Sequence, residues 1–105
     1  MIARPARKIL VVDDEPSVTG SLEVILSGAG YEVLTANSFA ASTAILSRTS
    51  VDLVITDLRL SDASGIDLIK HIKKTTPETE VRIELPVNER SKLSEHPTPQ
   101  ENPDR

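Results

Sequence analysis

Between residue 7 and about residue 85 the chain alternates short apolar runs with segments whose apolar residues recur every three or four positions. The run Ile9, Leu10, Val11 and Val12 is apolar on both faces, which suits a strand covered by helices on both sides. Strands are predicted at residues 8–12, 31–35, 52–56 and 81–85. The first helix begins at Pro16, a residue suited to a first helical position. It carries Val18, Leu22, Ile25, Leu26 and Ala29 at helical spacing and stops at Gly30. A second helix, about 38–48, is Ala-rich and interrupted by Ser42 and Thr43. A third, 65–75, turns Leu68, Ile69 and Ile72 inward and leaves Lys70, His71 and Lys73 to water. Strand and helix in strict alternation predict a parallel α/β sheet. The fourth strand differs from the first: "VRIEL" alternates apolar and charged residues, as a half-exposed edge strand does.

Residues 86–105 hold four prolines and many charges beside one leucine and one valine. Such a segment buries too little apolar surface to offset its ordering entropy, so the reading is one domain over 1–85 followed by a disordered tail over 86–105. One Tyr, one Phe and no Trp in 105 residues leave the core to aliphatic side chains. A net charge of −4 with scattered basic residues argues against a phosphate-tracking surface, so nucleic acid is not the expected direct partner. Without cysteine there is neither a disulfide framework nor a thiolate metal site. The first eight residues are short and polar for a signal peptide, and no apolar segment approaches the roughly 18 residues of a membrane span. A cytoplasmic location is the expectation.

Asp13 and Asp14 follow directly on the first strand, and Asp57 closes the third. Right-handed crossovers bring all parallel strands to end on one side, so the three acids are delivered to one sheet edge. With strand order 2-1-3 the crevice beyond the first and third strands is the topological switch point, where such sheets bind ligands. Three carboxylates a few ångströms apart raise one another's pKa, and a divalent cation relieves this. Mg2+ fits, being a hard ion that takes oxygen ligands and is commonly held by one or two carboxylates together with phosphate oxygens. A free Asp57 carboxylate beside such an ion is placed to attack phosphorus and form an acyl phosphate. The plainer reading is a solvated strand end, with Asp13 and Asp14 capping the next helix and Asp57, Asp62, Ser64 and Gly65 forming an ordinary turn. Three acids at two matching strand ends favour the site.

The set "ILVVDDEP", "GYEV", "VDLVITDLRLSDASGIDLI" and "TPETEV" resembles the receiver domain of bacterial two-component response regulators over about residues 7–83. The resemblance implies a flavodoxin-like three-layer sandwich with strand order 2-1-3-4, the family's fifth strand and last helices being absent. It assigns phosphorylation to Asp57 and metal binding to Asp13, Asp14 and Asp57, with the backbone carbonyl of Arg59 as a further ligand to Mg2+. The implied function is phosphorelay signalling: a phospho-acceptor that takes a phosphoryl group from a sensor histidine kinase or phosphotransfer protein, rather than an enzyme acting on a separate substrate.

Three departures from the family pattern stand beside the resemblance. Leu85 occupies the position of the usual Thr or Ser at the end of the fourth strand, no following strand presents the usual Lys, and Ser61 replaces a loop proline. A phosphorylation-incompetent binding module and a non-functional truncated fragment are therefore alternative readings. A sheet edge left uncovered invites a homodimer.

Overall fold

The computed structural model describes residues 7–84, folded into four strands and three helices in alternation. These are β1 (Lys8–Val12), α1 (Pro16–Gly28), β2 (Glu32–Ala36), α2 (Phe39–Arg48), β3 (Leu53–Asp57), α3 (Gly65–Thr75) and β4 (Glu80–Glu84). All strand pairs are parallel and the order is β2-β1-β3-β4, the flavodoxin-like arrangement expected. The expected tail over 86–105, together with Leu85, lies outside the described residues. Three strands sit one residue away from their predicted bounds, which places Asp57 as the last residue of β3 rather than the first beyond it. Register fixes this: Val12 pairs with Thr56 and Asp57 with Glu84, so the ladder continues through the acid.

β1 lies between two neighbours, and its apolar run is buried from Ile9 to Val12. Alternate side chains leave opposite faces of the sheet. Leu10, Val12 and Val54 form one cluster with Leu46 of α2 and Leu68 and Ile72 of α3. The other face carries Ile9, Leu53 and Ile55, beside Leu26 of α1. Leu10, Val12, Val54, Leu68 and Ile72 are wholly excluded from water, so this is the side on which the sheet is anchored.

α1 departs from the burial its sequence suggests. Val18, Leu22 and Leu26 are half-buried, but Ile25 is 64% exposed and Ala29 is exposed, and no residue of the helix is fully buried. It rests mainly on β2 and β1, and Val24 and Ile25 on its outer side are exposed. Its C-terminus is the stop predicted: Gly30 adopts φ +100° while its N–H and that of Tyr31 bond back to Ser27 and Leu26. β4 is at the sheet edge, in agreement with its alternating sequence.

Candidate metal and phospho-acceptor site

The C-terminal ends of β1 and β3 bring Asp13, Asp14 and Asp57 together, each offering a carboxylate oxygen within 4.8 Å of the others. Asp13 is held most firmly. Its N–H extends the ladder to the Ala36 carbonyl at 3.1 Å, and its Oδ1 accepts the Glu15 N–H at 2.9 Å. Burial pushes the Asp13 carboxyl above its usual range, and the charges of Asp57, Asp14 and Glu84 push the same way against the Glu15 bond. Asp14 is exposed and Asp57 half-buried, so the trio runs from a fixed acid to an open one.

The helix-capping alternative for Asp13 and Asp14 finds no support in the geometry. The residue before α1 is Glu15, whose side chain makes no capping bond, and the helix starts on Pro16. Asp13 bonds the N–H of Glu15, outside the helix. Two acids therefore stay near one another at the end of β1 without a capping role, Asp13 buried and Asp14 exposed.

Asp57 is aimed by its own loop. Its Oδ1 accepts the Leu58 N–H at 2.8 Å, and the Thr56 hydroxyl donates to its carbonyl oxygen at 2.9 Å. Thr56 itself is buried with its side chain on the opposite face, as strand alternation requires. The following loop closes tightly: Gly65 N–H donates to Leu58 O at 2.7 Å, Leu60 N–H to Ala63 O at 2.9 Å, and Arg59 bridges Ser64. Gly65 lies so close to the Asp57 carbonyl that an added Cβ would overlap that oxygen. Gly65 is therefore required by close approach, a role that the turn reading of this loop does not contain.

Asp62 is a second residue whose role sequence reasoning missed. Its carboxylate reaches across to the start of α2, accepting the N–H groups of Phe39 at 2.8 Å and Ala40 at 3.0 Å. The loop that leaves β3 is thus fastened to a helix 22 residues earlier. Ser64 does have a legible signal, S-x-x-D, and forms a capping box with Asp67 at the head of α3. His71, expected in water, is half-buried and meets the Phe39 ring edge-on at 5.9 Å, because α2 and α3 lie side by side. On the other flank of the acids an open cleft of ≈ 410 Å³ is lined by residues that include Thr19, Thr35 and Asn37.

A family model for the response regulator receiver domain matches residues 9–88. The chain belongs to the response regulator receiver family. Its resemblance to receivers extends to whole regulators and to solved domains. Over 77 residues it is 42% identical to the transcriptional regulatory protein GlrR of Escherichia coli K12, an alignment covering 73% of this chain and 17% of that protein. The chain thus spans 17% of the length of this curated relative. A receiver domain protein from Clostridium thermocellum is 35% identical with a TM-score of 0.72, covering 85% of this chain and 74% of the other. The beryllofluoride-activated NtrC4 receiver domain dimer is 32% identical with a TM-score of 0.69, covering 72% and 63%. Receivers are modules of phosphorelay signal transduction, and this one places its acids at the switch point of the sheet. Among the described residues no helix is long and apolar enough to cross a membrane.

Proposed function

We propose that this receiver accepts a phosphoryl group on Asp57 from a phosphohistidine of a sensor kinase or phosphotransfer protein, in a Mg2+-dependent reaction in the cytoplasm. The observation that carries the proposal is the convergence of Asp13, Asp14 and Asp57 at two adjacent strand ends. The donor set suits the ion. Mg2+ is a hard ion that takes oxygen ligands, and three carboxylates each offer an oxygen within 4.8 Å of the others. Asp13 and Asp14 would hold the metal, with Asp57 and the Arg59 carbonyl completing the protein's share. Bound there, Mg2+ supplies charge neutralisation for the transferring phosphoryl oxygens.

In that reaction a carboxylate oxygen of Asp57 forms the new P–O bond as the P–N bond to the donor imidazole breaks, and the imidazole nitrogen leaves with the electron pair. The Leu58 N–H holds the Asp57 carboxylate so that one oxygen is occupied and the other is presented to the phosphorus. Fixing Asp57 through the pinned 58–65 loop removes a rotational freedom that the attack would otherwise have to freeze. The acids that the family pattern requires for acceptance and for metal are all present, as Asp57, Asp13 and Asp14.

The test is an amide NMR titration of the purified chain with MgCl2, followed by incubation with Mg2+ and a small phospho-donor. Saturable shifts around residues 13, 14 and 57 and a single added phosphoryl mass are expected. Both should be lost together in Asp13→Asn, whereas Asp57→Asn should lose the mass and weaken the Mg2+ shifts. A wild-type chain that folds, binds Mg2+ and gains no phosphoryl mass favours the binding-module reading. A chain that shows neither response overturns the site. A second copy meeting the β4 edge is the further partner we infer, in keeping with the uncovered edge among the described residues.

A further inference from the structure

The ladder between β3 and β4 sets Glu84 directly across from Asp57. Neighbouring parallel strands lie about 4.8 Å apart, and residues paired across them present their side chains on the same face. Ile83 fixes the placement at this end: it points to the opposite face, where its Cδ1 stands beside Gly65. Glu84 therefore shares the Asp57 face, and its charge reaches the neighbouring acids. Burial raises the Asp13 carboxyl most, and the charge of Glu84 adds to that rise alongside those of Asp57 and Asp14.

Of the three charged residues of β4, Glu80 and Arg82 are exposed and Glu84 is half-buried. Arg82, two residues before Glu84 on the same face, is turned to Glu80 at 2.9 Å. A half-buried charge is screened by water and salt less than a surface one. A carboxylate in this position acts with opposite sign on the two groups that the Asp57 site is proposed to take. It attracts a divalent cation, and it repels a phosphoryl group, which carries negative charge on its oxygens. Asp13, Asp14 and Asp57 would contact those groups, whereas Glu84, on the strand beyond Asp57, acts through its field.

We propose that Glu84 is a specificity-determining residue of the Asp57 site: its carboxylate, paired across the ladder from the acceptor, strengthens the hold on a divalent cation and weakens the hold on a phosphoryl group. This role rests on the reading of Asp57 as phospho-acceptor, and adds to it a residue outside the three aspartates and the loop after β3. A site so biased takes metal readily and holds its phosphoryl group loosely.

The test compares the full chain with Glu84→Gln, which keeps the size and polarity of the side chain and removes its charge. Mg2+ affinity is read from an amide NMR titration with MgCl2, and affinity at the phosphoryl position from a titration with beryllofluoride, a phosphoryl mimic, at saturating Mg2+. The variant should bind Mg2+ roughly fivefold more weakly and beryllofluoride roughly twofold to threefold more tightly, and both differences should shrink at high salt. Arg82→Gln, which removes the opposite charge from an exposed position on the same face, should move both affinities the other way and by less. Two affinities lowered together in Glu84→Gln, with no dependence on salt, would make Glu84 a structural support and overturn the proposal. Unchanged affinities in a variant that still binds both probes overturn it as well, and leave Asp57 as the acceptor. A wild-type chain that binds neither probe overturns the acceptor reading itself, and with it the role of Glu84.

Discussion

Helices α1 and α3 lie on opposite faces of one sheet and differ in what surrounds them. α3 buries Leu68 and Ile72 completely against Leu10, Val12 and Val54, with α2 alongside. α1 carries five large aliphatic residues to the four of α3 but buries none fully, and Val24 and Ile25 are 73% and 64% exposed. Hydrophobic content does not decide burial; the number of elements brought to the same face does. The candidate site is tied to the well-packed side by Gly65 and the loop leaving β3, whereas Asp57 shares the face of Leu53 and Ile55 by strand alternation. Among the described residues the β4 edge and the outer side of α1 are the parts with room for another surface.

The sharpest way to break this contrast is a matched pair of truncations. Leu68→Ala should cost about 2 to 5 kcal/mol, the range for opening a cavity at a fully buried leucine, read as a lower denaturation midpoint. Ile25→Ala should cost less than about 0.5 kcal/mol, because its side chain is mostly in water already. Equal effects would mean that α1 is covered by residues beyond 84.

Next in size is Gly65→Ala, which drives a methyl group into the Asp57 carbonyl and should destabilise by about 1 to 3 kcal/mol. It should also shift the Leu58 amide resonance, because the backbone that must yield carries the Asp57–Leu58 bond. A chain of unchanged stability and spectrum would show that the loop has slack at the acceptor.

Asp13→Asn works in the opposite direction. Asn keeps an oxygen for the Glu15 N–H while removing one charge from a crowded trio. Because the Asp13 pKa is raised in the folded state, its ionisation opposes folding: relative stability is greatest below the ordinary carboxylate pKa and declines as pH rises through the raised value. At neutral pH without metal the variant should therefore be more stable than wild type, and added Mg2+ should narrow or reverse the difference. A destabilised metal-free variant would show that repulsion among the acids is minor.

The element order, the parallel sheet and the three acids were legible because each rests on local pattern: an all-apolar run, a helical period, an acid at a strand end. β4 was legible as an edge because Glu80, Arg82 and Glu84 alternate with Val81 and Ile83. What the pattern could not show depends on contacts between distant residues. The exposure of Ile25 is set by what is absent opposite it, the half-burial of His71 by Phe39 on another helix, and the need for glycine at 65 by a carbonyl eight residues earlier.

The two capped helices make the same distinction measurable. α3 is capped from within, Ser64 and Asp67 bonding each other's backbone three residues apart, whereas α2 is met by Asp62 from the loop after the acceptor strand, in addition to its own Ser38. Both carboxyls are held below the usual carboxylate range, Asp62 chiefly by the Phe39 N–H and then that of Ala40, Asp67 chiefly by the Ser64 N–H. A lowered folded-state pKa gives stability that is present above the ordinary value of about 3.9 and lost as pH falls through the lowered one. Acidification should therefore loosen both helix starts, but with different reach. Protonating Asp67 affects only the first turn of α3, while protonating Asp62 releases α2 from the loop that positions Asp57. Asp62→Asn should remove the acid-dependent change at the Phe39 and Ala40 amides and broaden the resonances of residues 58–63 at neutral pH. Asp67→Asn should leave residues 58–63 sharp. If both variants leave that loop equally ordered, the bonds to α2 do not help to hold the loop after Asp57, and its order comes from the Gly65 approach and the loop's own backbone bonds.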